Sequence, residues 1–371
     1  MAKNRIIYQS QSVYAGPSAA SGTYYSETGD ASAGARSANP ASLQRVQNVN
    51  YSFDIARTDV NQFGQLASID RVILESPTVS MDFSYYQADF ANETKLGFEV
   101  MSSSTLVSCI SGMLDRKTDE RNYYIRVAKE GQDSVGYAET GGTTNDVVGI
   151  GNGFMSSYSS DASVGDFPTA SVTVEALNIA FDKGTTGNTL PKVNPTDGAK
   201  ESSLQYSLAT ASANVQNAFS VVRPGDITMT LDNGGLGALI SDAKIQSYSL
   251  SFDLAREPLQ KLGNKFAFAR EMTFPVTVSL SVDALLGDLE TGNLADAIGS
   301  DADFDAEVHM KARSSASVNM RYILKKAKLD GHSYSTSIGD NKTVTLNFSS
   351  QIGSAQQTGV GLFMSGVGHD A

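Results

Sequence analysis

Apolar and polar residues alternate along two matching stretches of the chain. Residues 46–57 and 67–85 alternate with a period of two, which is typical of strands with one buried face. The same layout recurs at residues 245–256 and 265–283. A polar segment with one glycine separates the two runs in each stretch, so the pattern predicts two antiparallel hairpins.

The two hairpins are copies of one segment. Residues 45–83 align without gaps to residues 244–282, and eleven of the 39 aligned positions are identical. The identical positions, each with a partner 199 residues later, are Gln47, Ser52, Phe53, Asp54, Ala56, Arg57, Gly64, Arg71, Thr78, Val79 and Ser80. A second match, between residues 157–166 and 333–340, follows in the same order. Collinear matches at two places predict two copies of one domain.

The duplication predicts five parts of the chain. They are an N-terminal strand with a Ser/Ala/Gly-rich arm or loop at 1–43, a first domain at 44–181, a linker at 182–214, a second domain at 215–353 and a C-terminal tail at 354–371. The first domain has about 25 extra residues, which we place within 130–153. Apolar residues at helical spacing predict one short helix per domain, at 106–114 and at 285–298. The predicted fold class is mainly β, with two tandem domains and one short helix in each.

Each predicted hairpin has one apolar and one polar face. Tyr51, Phe53 and Ile55 form the apolar face of the first strand. The polar faces carry small polar groups and carboxylates, at Asn50, Ser52, Asp54, Ser80, Asp82, Ser84, Ser249, Ser251, Asp253, Ser279, Ser281 and Asp283. Two interpretations stay open: the polar face meets solvent in an ordinary sandwich, or it lines a channel when several sheets close into a barrel.

The net charge, the cysteine count and the lack of long apolar runs argue against several classes of function. The net charge of −12 opposes tight binding of nucleic-acid phosphates, although it allows a nucleic acid to slide past without sticking. The single cysteine, Cys109, excludes an intrachain disulfide and suits a reducing cytoplasm. The first residues lack the apolar core of a signal peptide, and no apolar run has the length of a membrane span.

The sequence carries no recognisable catalytic or metal-binding motif. His309, His332 and His369 are far apart and lack metal-ligand spacing, and Cys109 is expected to be a small core residue. The glycines of residues 149–153, GIGNG, lack the spacing of a dinucleotide-binding fingerprint and predict a turn. We therefore expect no enzyme activity, no cofactor and no metal.

The first hairpin resembles the tail tube proteins of long-tailed bacteriophages. The resemblance lies in VQNVNYSFDIARTDVNQFGQLASIDRVILESPTVSMDFSYY, in the following ANETKLGF, and in the later strand of SIGDNKTVTLNF. It implies that each domain is a β-sandwich with one flanking helix. It also implies rings of six such domains whose inner strands join into one closed barrel, and rings that stack into a tube for the genome. Family members with two fused domains form rings of three chains with pseudo-sixfold symmetry, and the duplication matches that variant.

The resemblance also implies partners and a location. The twelve polar-face residues would face the lumen, other copies of the chain and other tail proteins would be partners, and DNA would be a passing cargo bound without sequence specificity. The chain would reside in the virion tail after assembly in the host cytoplasm, with no membrane segment. The alternatives are the inner tube of a contractile tail or injection device, and a two-domain adhesion or carbohydrate-binding protein. The absence of Trp and of a signal sequence counts against the last.

Several residues near the hairpin ends are candidates for subunit or ring contacts. Arg57 and Arg256 directly follow the first strands and either pair with a neighbouring subunit's carboxylate or remain solvated. The loops after them either touch the next ring or are passive connections, and their candidate contact residues are Asp59, Gln62, Gln260 and Lys261.

Overall fold

The computed structural model describes most of the chain. The described residues are 10–17, 40–101, 106–115, 119–129, 132–135, 145–200, 205–208, 221–232, 244–285, 303–311, 318–335, 343–354 and 356–366. The predicted helix at 285–298 lies outside the described residues, except for Leu285, which ends a strand.

The chain is mainly β, as the alternation predicts. The strands of the N-terminal half are β1 (Gln11–Pro17), β2 (Ala41–Ser42), β3 (Val46–Asp54), β4 (Thr58–Val60), β5 (Asp70–Val72), β6 (Thr78–Tyr86), β7 (Val100–Met101), β8 (Arg121–Val127), β9 (Asp146–Ser163), β10 (Thr169–Ala176) and β11 (Asn178–Lys183). Those that follow are β12 (Thr186–Thr189), β13 (Gln205–Ser207), β14 (Ile227–Asp232), β15 (Lys244–Asp253), β16 (Arg256–Leu259), β17 (Ala269–Met272), β18 (Val276–Leu285), β19 (Phe304–Lys311), β20 (Val318–Ser335), β21 (Thr343–Ile352) and β22 (Gly361–Ser365). Two short helices, α1 (Ala91–Leu96) and α2 (Ser111–Asp115), lie between β6 and β8.

Eight strands form a central antiparallel sheet in the order β20-β21-β18-β15-β9-β10-β6-β3. One face of this sheet packs into the main apolar core, where Met81, Tyr158, Val174, Leu250 and Leu280 are buried. The other face carries the alternating polar residues. Among the described strands, the sheet of a single chain is open, with β3 at one edge and residues 328–335 of β20 at the other, and it forms no closed barrel.

Two further layers cover the apolar face. The first half of β9 leaves the central sheet and joins a layer ordered β2-β1-β8-β9-β11. The first half of β20 does the same in a layer ordered β14-β19-β20-β22-β7, where β22 and β7 are parallel. Ile125 and Val308, one from each layer, belong to the same apolar core as the central sheet.

The strand pairing of the N-terminal half recurs in the C-terminal half, and the β-bulges occur at corresponding positions. Val79 pairs with Ala176, and Val278, which follows 199 residues after Val79, pairs with Ser350. The β3–β6 pairing skips Gln47, and the β15–β18 pairing skips its identical partner Gln246. Likewise, β9 skips Ser156 against β10, and β20 skips Asp330 against β21. These bulges fix which residues of the two halves correspond.

Each hairpin of the central sheet continues into a two-stranded arm where the sequence predicts a loop. Arm 1 consists of β4 and β5, and arm 2 consists of β16 and β17. Both tips turn at a glycine with positive φ, Gly64 at 85° and Gly263 at 90°, a conformation that glycine adopts without a Cβ clash.

Several sequence predictions are wrong in detail. Leu106 and Val107 are not helical, because the predicted helix is reduced to α2, while α1 forms earlier in the chain. The predicted linker contains β12 and the predicted tail contains β22. Most of the extra length of the first copy lies before β8 and not within 130–153: residues 87–120 separate β6 from β8, whereas only 286–303 separate β18 from β19.

The predicted turn at 149–153 is also wrong, because these glycines lie inside β9. A Cβ on Gly151 would lie 2.2 Å from the carbonyl oxygen of Pro191. The glycine therefore allows the segment at Pro191 to run directly over the strand. Among the described residues, no helix has the length and apolar character needed to cross a membrane.

Candidate functional site

The two groups of four strands in the central sheet are joined edge to edge by β9 and β15. In this internal junction, Leu250 lies opposite Ser160 and Phe252 lies opposite Tyr158. Beyond the ladder, the backbone N–H of Leu254 donates to the carbonyl oxygen of Ser156 at 2.7 Å. The internal junction thus pairs the last central strand of the N-terminal half with the first central strand of the C-terminal half.

The apolar side of the internal junction is closed to solvent. Leu250, Phe252 and Leu254 are at most 3% exposed. The ring of Phe252 lies 5.5 Å from the ring of Tyr158 and 6.0 Å from that of Phe98, measured between centroids. Phe98 follows α1 and belongs to the N-terminal half, so aromatic packing joins the two halves.

A buried polar network crosses the same junction. The hydroxyls of Tyr85 and Tyr158 donate to Oε1 of Glu93, at 2.9 and 3.0 Å. The Tyr158 hydroxyl also lies 2.7 Å from that of Tyr322 in the C-terminal half, which accepts from Gln87 Nε2 at 2.7 Å. Burial raises the pKa of Glu93 to about 7, because the charged carboxylate loses its solvation, and the two tyrosine hydrogen bonds only partly oppose this. Oε2 of Glu93 has no hydrogen-bond partner in the part of the chain that the structure describes.

Arg256 ties the base of arm 2 to the N-terminal half. Its side chain is 3% exposed and forms an ion pair with Asp119. Its Nε donates to the carbonyl oxygen of Met155 at 3.3 Å, and its guanidinium lies 5.0 Å from the centroid of Phe154. Burial raises the pKa of Asp119, while the positive charge of Arg256 opposes that shift. The carboxylate that Arg256 binds in one chain therefore comes from that chain itself.

The two outer edges of the central sheet have no strand beside them among the described residues. At one edge β3 pairs only with β6, and at the other residues 328–335 of β20 pair only with β21. Tyr51, Phe53 and Ile55 of the β3 edge are 40%, 59% and 36% exposed. Tyr334 at the β20 edge is 51% exposed. Such edges are templates for pairing with another strand.

All twelve residues predicted for the polar face lie on the side of the central sheet away from the core. Asp54, Asp82 and Asp253 are exposed, whereas Ser84 is buried. Hydrogen bonds tie neighbouring strands across this face. Ser52 bonds to Ser80 at 2.8 Å, and Asp283 accepts from Thr345 at 2.6 Å. The structure places the predicted residues on one continuous surface, although a single chain does not enclose a lumen.

Sequence reasoning missed two carboxylates of this polar face. Asp161 accepts from Ser249 across the internal junction at 2.5 Å, and Glu175 lies in β10 between buried valine and alanine neighbours. The alternation of residues 169–176 is the signal that could have found Glu175. Lys244 begins β15, and Lys328 lies where β20 enters the central sheet, so the middle of the face remains acidic in the described strands.

The arms carry the predicted contact residues, and all four are exposed. Asp59 accepts from Arg71 within arm 1 at 2.7 Å, and Nζ of Lys261 lies 5.5 Å from the ring centroid of Phe268 in arm 2. Gln62 and Gln260 lie at the two tips. Three apolar side chains near the tips are fully exposed and were not predicted: Phe63, Leu66 and Leu262. The sequence signal for Phe63 and Leu262 is an apolar residue directly before the tip glycine in both copies.

The remaining reactive side chains are dispersed. His309 shares a hydrogen bond of 2.8 Å with Glu307, and Cys109 is buried, which raises the pKa of its thiol. Within the described part of the chain, no three His, Cys, Asp or Glu side chains converge as metal ligands. No protein-family model matches the chain, and a search of the curated proteins finds no match.

Proposed function

We propose that this chain is a structural subunit that assembles edge to edge with its own copies into the tail tube of a long-tailed bacteriophage. One observation carries the proposal: β9 and β15 already form, within one chain, the strand junction that the two open edges could form between chains. The repeated strand pairing supports two tandem copies of one sandwich domain, and the family resemblance of the first hairpin gives the assembly its biological setting.

The open edges correspond to the two strands of the internal junction. β3 is the counterpart of β15, and residues 328–335 of β20 are the counterpart of the β9 residues at the junction. If the β3 edge of one chain pairs with the β20 edge of the next in the same register as β15 with β9, Ser52 lies opposite Ser333 and Tyr51 lies opposite Tyr334. A contact between two different edges is heterologous, and its repetition gives a closed ring if the rotation completes a full turn.

Assembly in this way would bury the apolar residues of the β3 edge. Complete burial of a side chain such as that of Phe53 stabilises by about 1.5–3 kcal/mol. Every added chain would present the same edge again until the ring closes, and closure removes all exposed edges. Three chains would supply six copies of the domain, which is the pseudo-sixfold ring that the resemblance implies.

The polar face would then line the lumen. Its aspartates repel DNA phosphates, and at moderate salt this repulsion extends over roughly 10 Å. The serine hydroxyls already bond to neighbouring strands, as Ser52 does to Ser80. A lumen of this kind holds few strong binding sites for a passing polyanion, so DNA would travel through it without sequence-specific contacts.

The arms would serve the contact between stacked rings. Both extend from the same end of the central sheet, and Phe63 and Leu262 are fully exposed at their tips. At the opposite end, Val164 and Phe167 of the β9–β10 turn are 66% and 49% exposed. Apolar groups at both ends suit a head-to-tail stack of identical rings, including the stack of an inner tube within a contractile tail or injection device.

Microscopy and mass measurement test the assembly directly. We expect the purified chain to form rings or tubes in negative stain, and light scattering to give multiples of three chains. The Phe53→Glu variant should stay folded and monomeric, because it puts a charge on an already exposed residue that only assembly would bury. Val135→Glu is a matched control at a residue 43% exposed outside the central sheet, and it should assemble normally. A wild-type chain that stays monomeric and binds a glycan would favour the adhesion alternative and end the proposal.

A further inference from the structure

The position of Arg57 repeats that of a buried, ion-paired arginine. Arg57 follows β3 as Arg256 follows β15, and the two are identical partners in the duplication. Arg256 is enclosed by Asp119, Met155 and Phe154 across the internal junction, as described above. Arg57 is exposed, because among the described strands only β6 pairs with β3.

A carboxylate stands next to the corresponding place beside the β20 edge. β8 begins opposite Gly153 of β9, and β19 begins opposite Ala327 of β20. Asp303 directly precedes β19 as Glu120 directly precedes β8, and Asp119, which receives Arg256, is the residue before Glu120. The open edge therefore carries an acidic group one residue away from the position that receives Arg256 at the internal junction.

Asp303 is already held in its charged form. Its carboxylate accepts from Lys328 Nζ at 2.8 Å, and this hydrogen bond lowers the pKa of Asp303. The Asp303 side chain is still 45% exposed, so a second cation can approach it. An aspartate has two oxygens and can accept from two cationic donors at once.

We propose that Arg57 of one chain pairs with Asp303 of a second copy when β3 of the first pairs with β20 of the second. This inference rests on the proposed function, since it names the residues that fix the register of the chain-to-chain junction. Opposite charges at matching positions of two edges favour the correct register and the heterologous pairing over the pairing of two like edges.

The chain-to-chain pair also differs from its internal counterpart in the residue that covers the arginine. Lys328 corresponds to Phe154, because Lys328 pairs with Ser349 as Phe154 pairs with Glu175. The aromatic face that shields Arg256 is therefore absent, and the Arg57–Asp303 pair stays closer to solvent. A more exposed pair is more strongly screened, so added salt should weaken assembly of the chains without unfolding them.

A charge exchange tests the pair. Arg57→Asp and Asp303→Arg should each raise the protein concentration needed for half assembly about tenfold or more, because each sets like charges against each other. The double variant Arg57→Asp/Asp303→Arg should return that concentration to within about threefold of the wild type, since it restores opposite charges. Analytical ultracentrifugation at low salt measures all four proteins, with circular dichroism to verify folding.

Two further variants make the outcome decisive. Arg223→Asp makes the same charge change at an exposed residue outside the arms and the central sheet, and should assemble as the wild type does. Asp303→Asn avoids placing an arginine beside Lys328 and should reduce both the assembly and its dependence on salt. Single variants that assemble normally, or a double variant that gains nothing over them, would overturn the Arg57–Asp303 pair. A wild-type chain that forms no rings would instead overturn the proposed function.

Discussion

The internal junction and the open β3 edge contain nearly the same sequence in opposite environments. Phe252 is 3% exposed and Phe53 is 59% exposed, although both belong to the shared Ser-Phe-Asp segment. The backbone conformation and the alternation of faces are the same in the two strands. Local sequence thus determines the strand, whereas the neighbouring strand determines whether its apolar face is buried.

The internal junction and the open edges also differ in the buried side-chain hydrogen bonds available to stabilise them. The internal junction contains the Glu93 network, in which Tyr158 and Ser160 bond across the two halves. At the β20 edge, His332 and Tyr334 stand in place of Tyr158 and Ser160, so the residue types of this network do not recur there. The internal junction is part of each folded chain, whereas the open edge would form a junction only if the chains assemble as proposed.

The largest expected effect comes from truncating the same aromatic residue in both regions. Phe252→Ala should lower the free energy of unfolding by about 3–5 kcal/mol, because it leaves a cavity in the core. Phe53→Ala should change the stability of the monomer by less than about 0.5 kcal/mol, since its side chain is mostly in solvent. Urea denaturation at a concentration where the chain is monomeric measures both. Equal losses for the two variants would show that the β3 edge is covered within one chain.

The next effect concerns Glu93 and depends on pH. The pKa of Glu93 rises from 4.5 to about 7 on folding, so the folded chain binds an extra proton between these values. Its contribution to stability is therefore favourable at low pH and falls as the pH rises through that window, by about 3 kcal/mol in total. Glu93→Gln should remove this fall, so the variant should match the wild type near pH 5 and exceed it above pH 8.

Denaturation of the monomer at several pH values measures the difference between Glu93→Gln and the wild type. Other ionisable groups contribute equally to the stability of both proteins, so subtracting one stability from the other removes their contribution. This holds provided that the glutamine keeps the two tyrosine contacts. A constant difference from pH 5 to pH 8 would contradict a neutral, protonated Glu93 at the internal junction.

The arms offer a smaller contrast between the same two regions. Arg270 of arm 2 is 9% exposed and bonds to Glu175, whereas Arg71 of arm 1 is 65% exposed in its pair with Asp59. Arg270→Ala should cost about 1 kcal/mol more stability than Arg71→Ala, mainly through lost packing of its stem. Thermal unfolding of the two variants is sufficient to compare them. An exposed pair such as that of Arg71 contributes at most about 1 kcal/mol.

The smallest effect on stability is expected on the polar face, where the readout is DNA passage. Lysine at Asp54, Asp82, Asp253 and Asp283 should leave ring assembly largely intact but slow ejection of DNA from virions, because the lumen would then attract phosphates. Asparagine at the same positions is the matched control, since it removes the charge without reversing it. Unchanged ejection kinetics with lysine would count against an electrostatically repulsive lumen.

The sequence reveals the hairpins because each central strand has one buried face, which imposes a strict alternation. The helices are less predictable, since α1 and α2 have only one or two turns and their positions depend on contacts such as that of Glu93 with Tyr85. The Glu93 network itself joins residues as far apart as Gln87 and Tyr322, and no local pattern marks such a contact. The turn predicted at residues 149–153 is wrong for a related reason. Gly151 lacks a side chain because the segment at Pro191 crosses directly over the strand, and not because the backbone turns there.

The two longest strands have a mechanical consequence. β9 and β20 span 18 residues each, and each belongs to the central sheet at one end and to an outer layer at the other. Sliding of one layer over the other would therefore have to stretch a continuous backbone. A cylinder built from such subunits should resist bending and torsion as a single elastic shell, with stiffness set by covalent bonds as well as by side-chain packing.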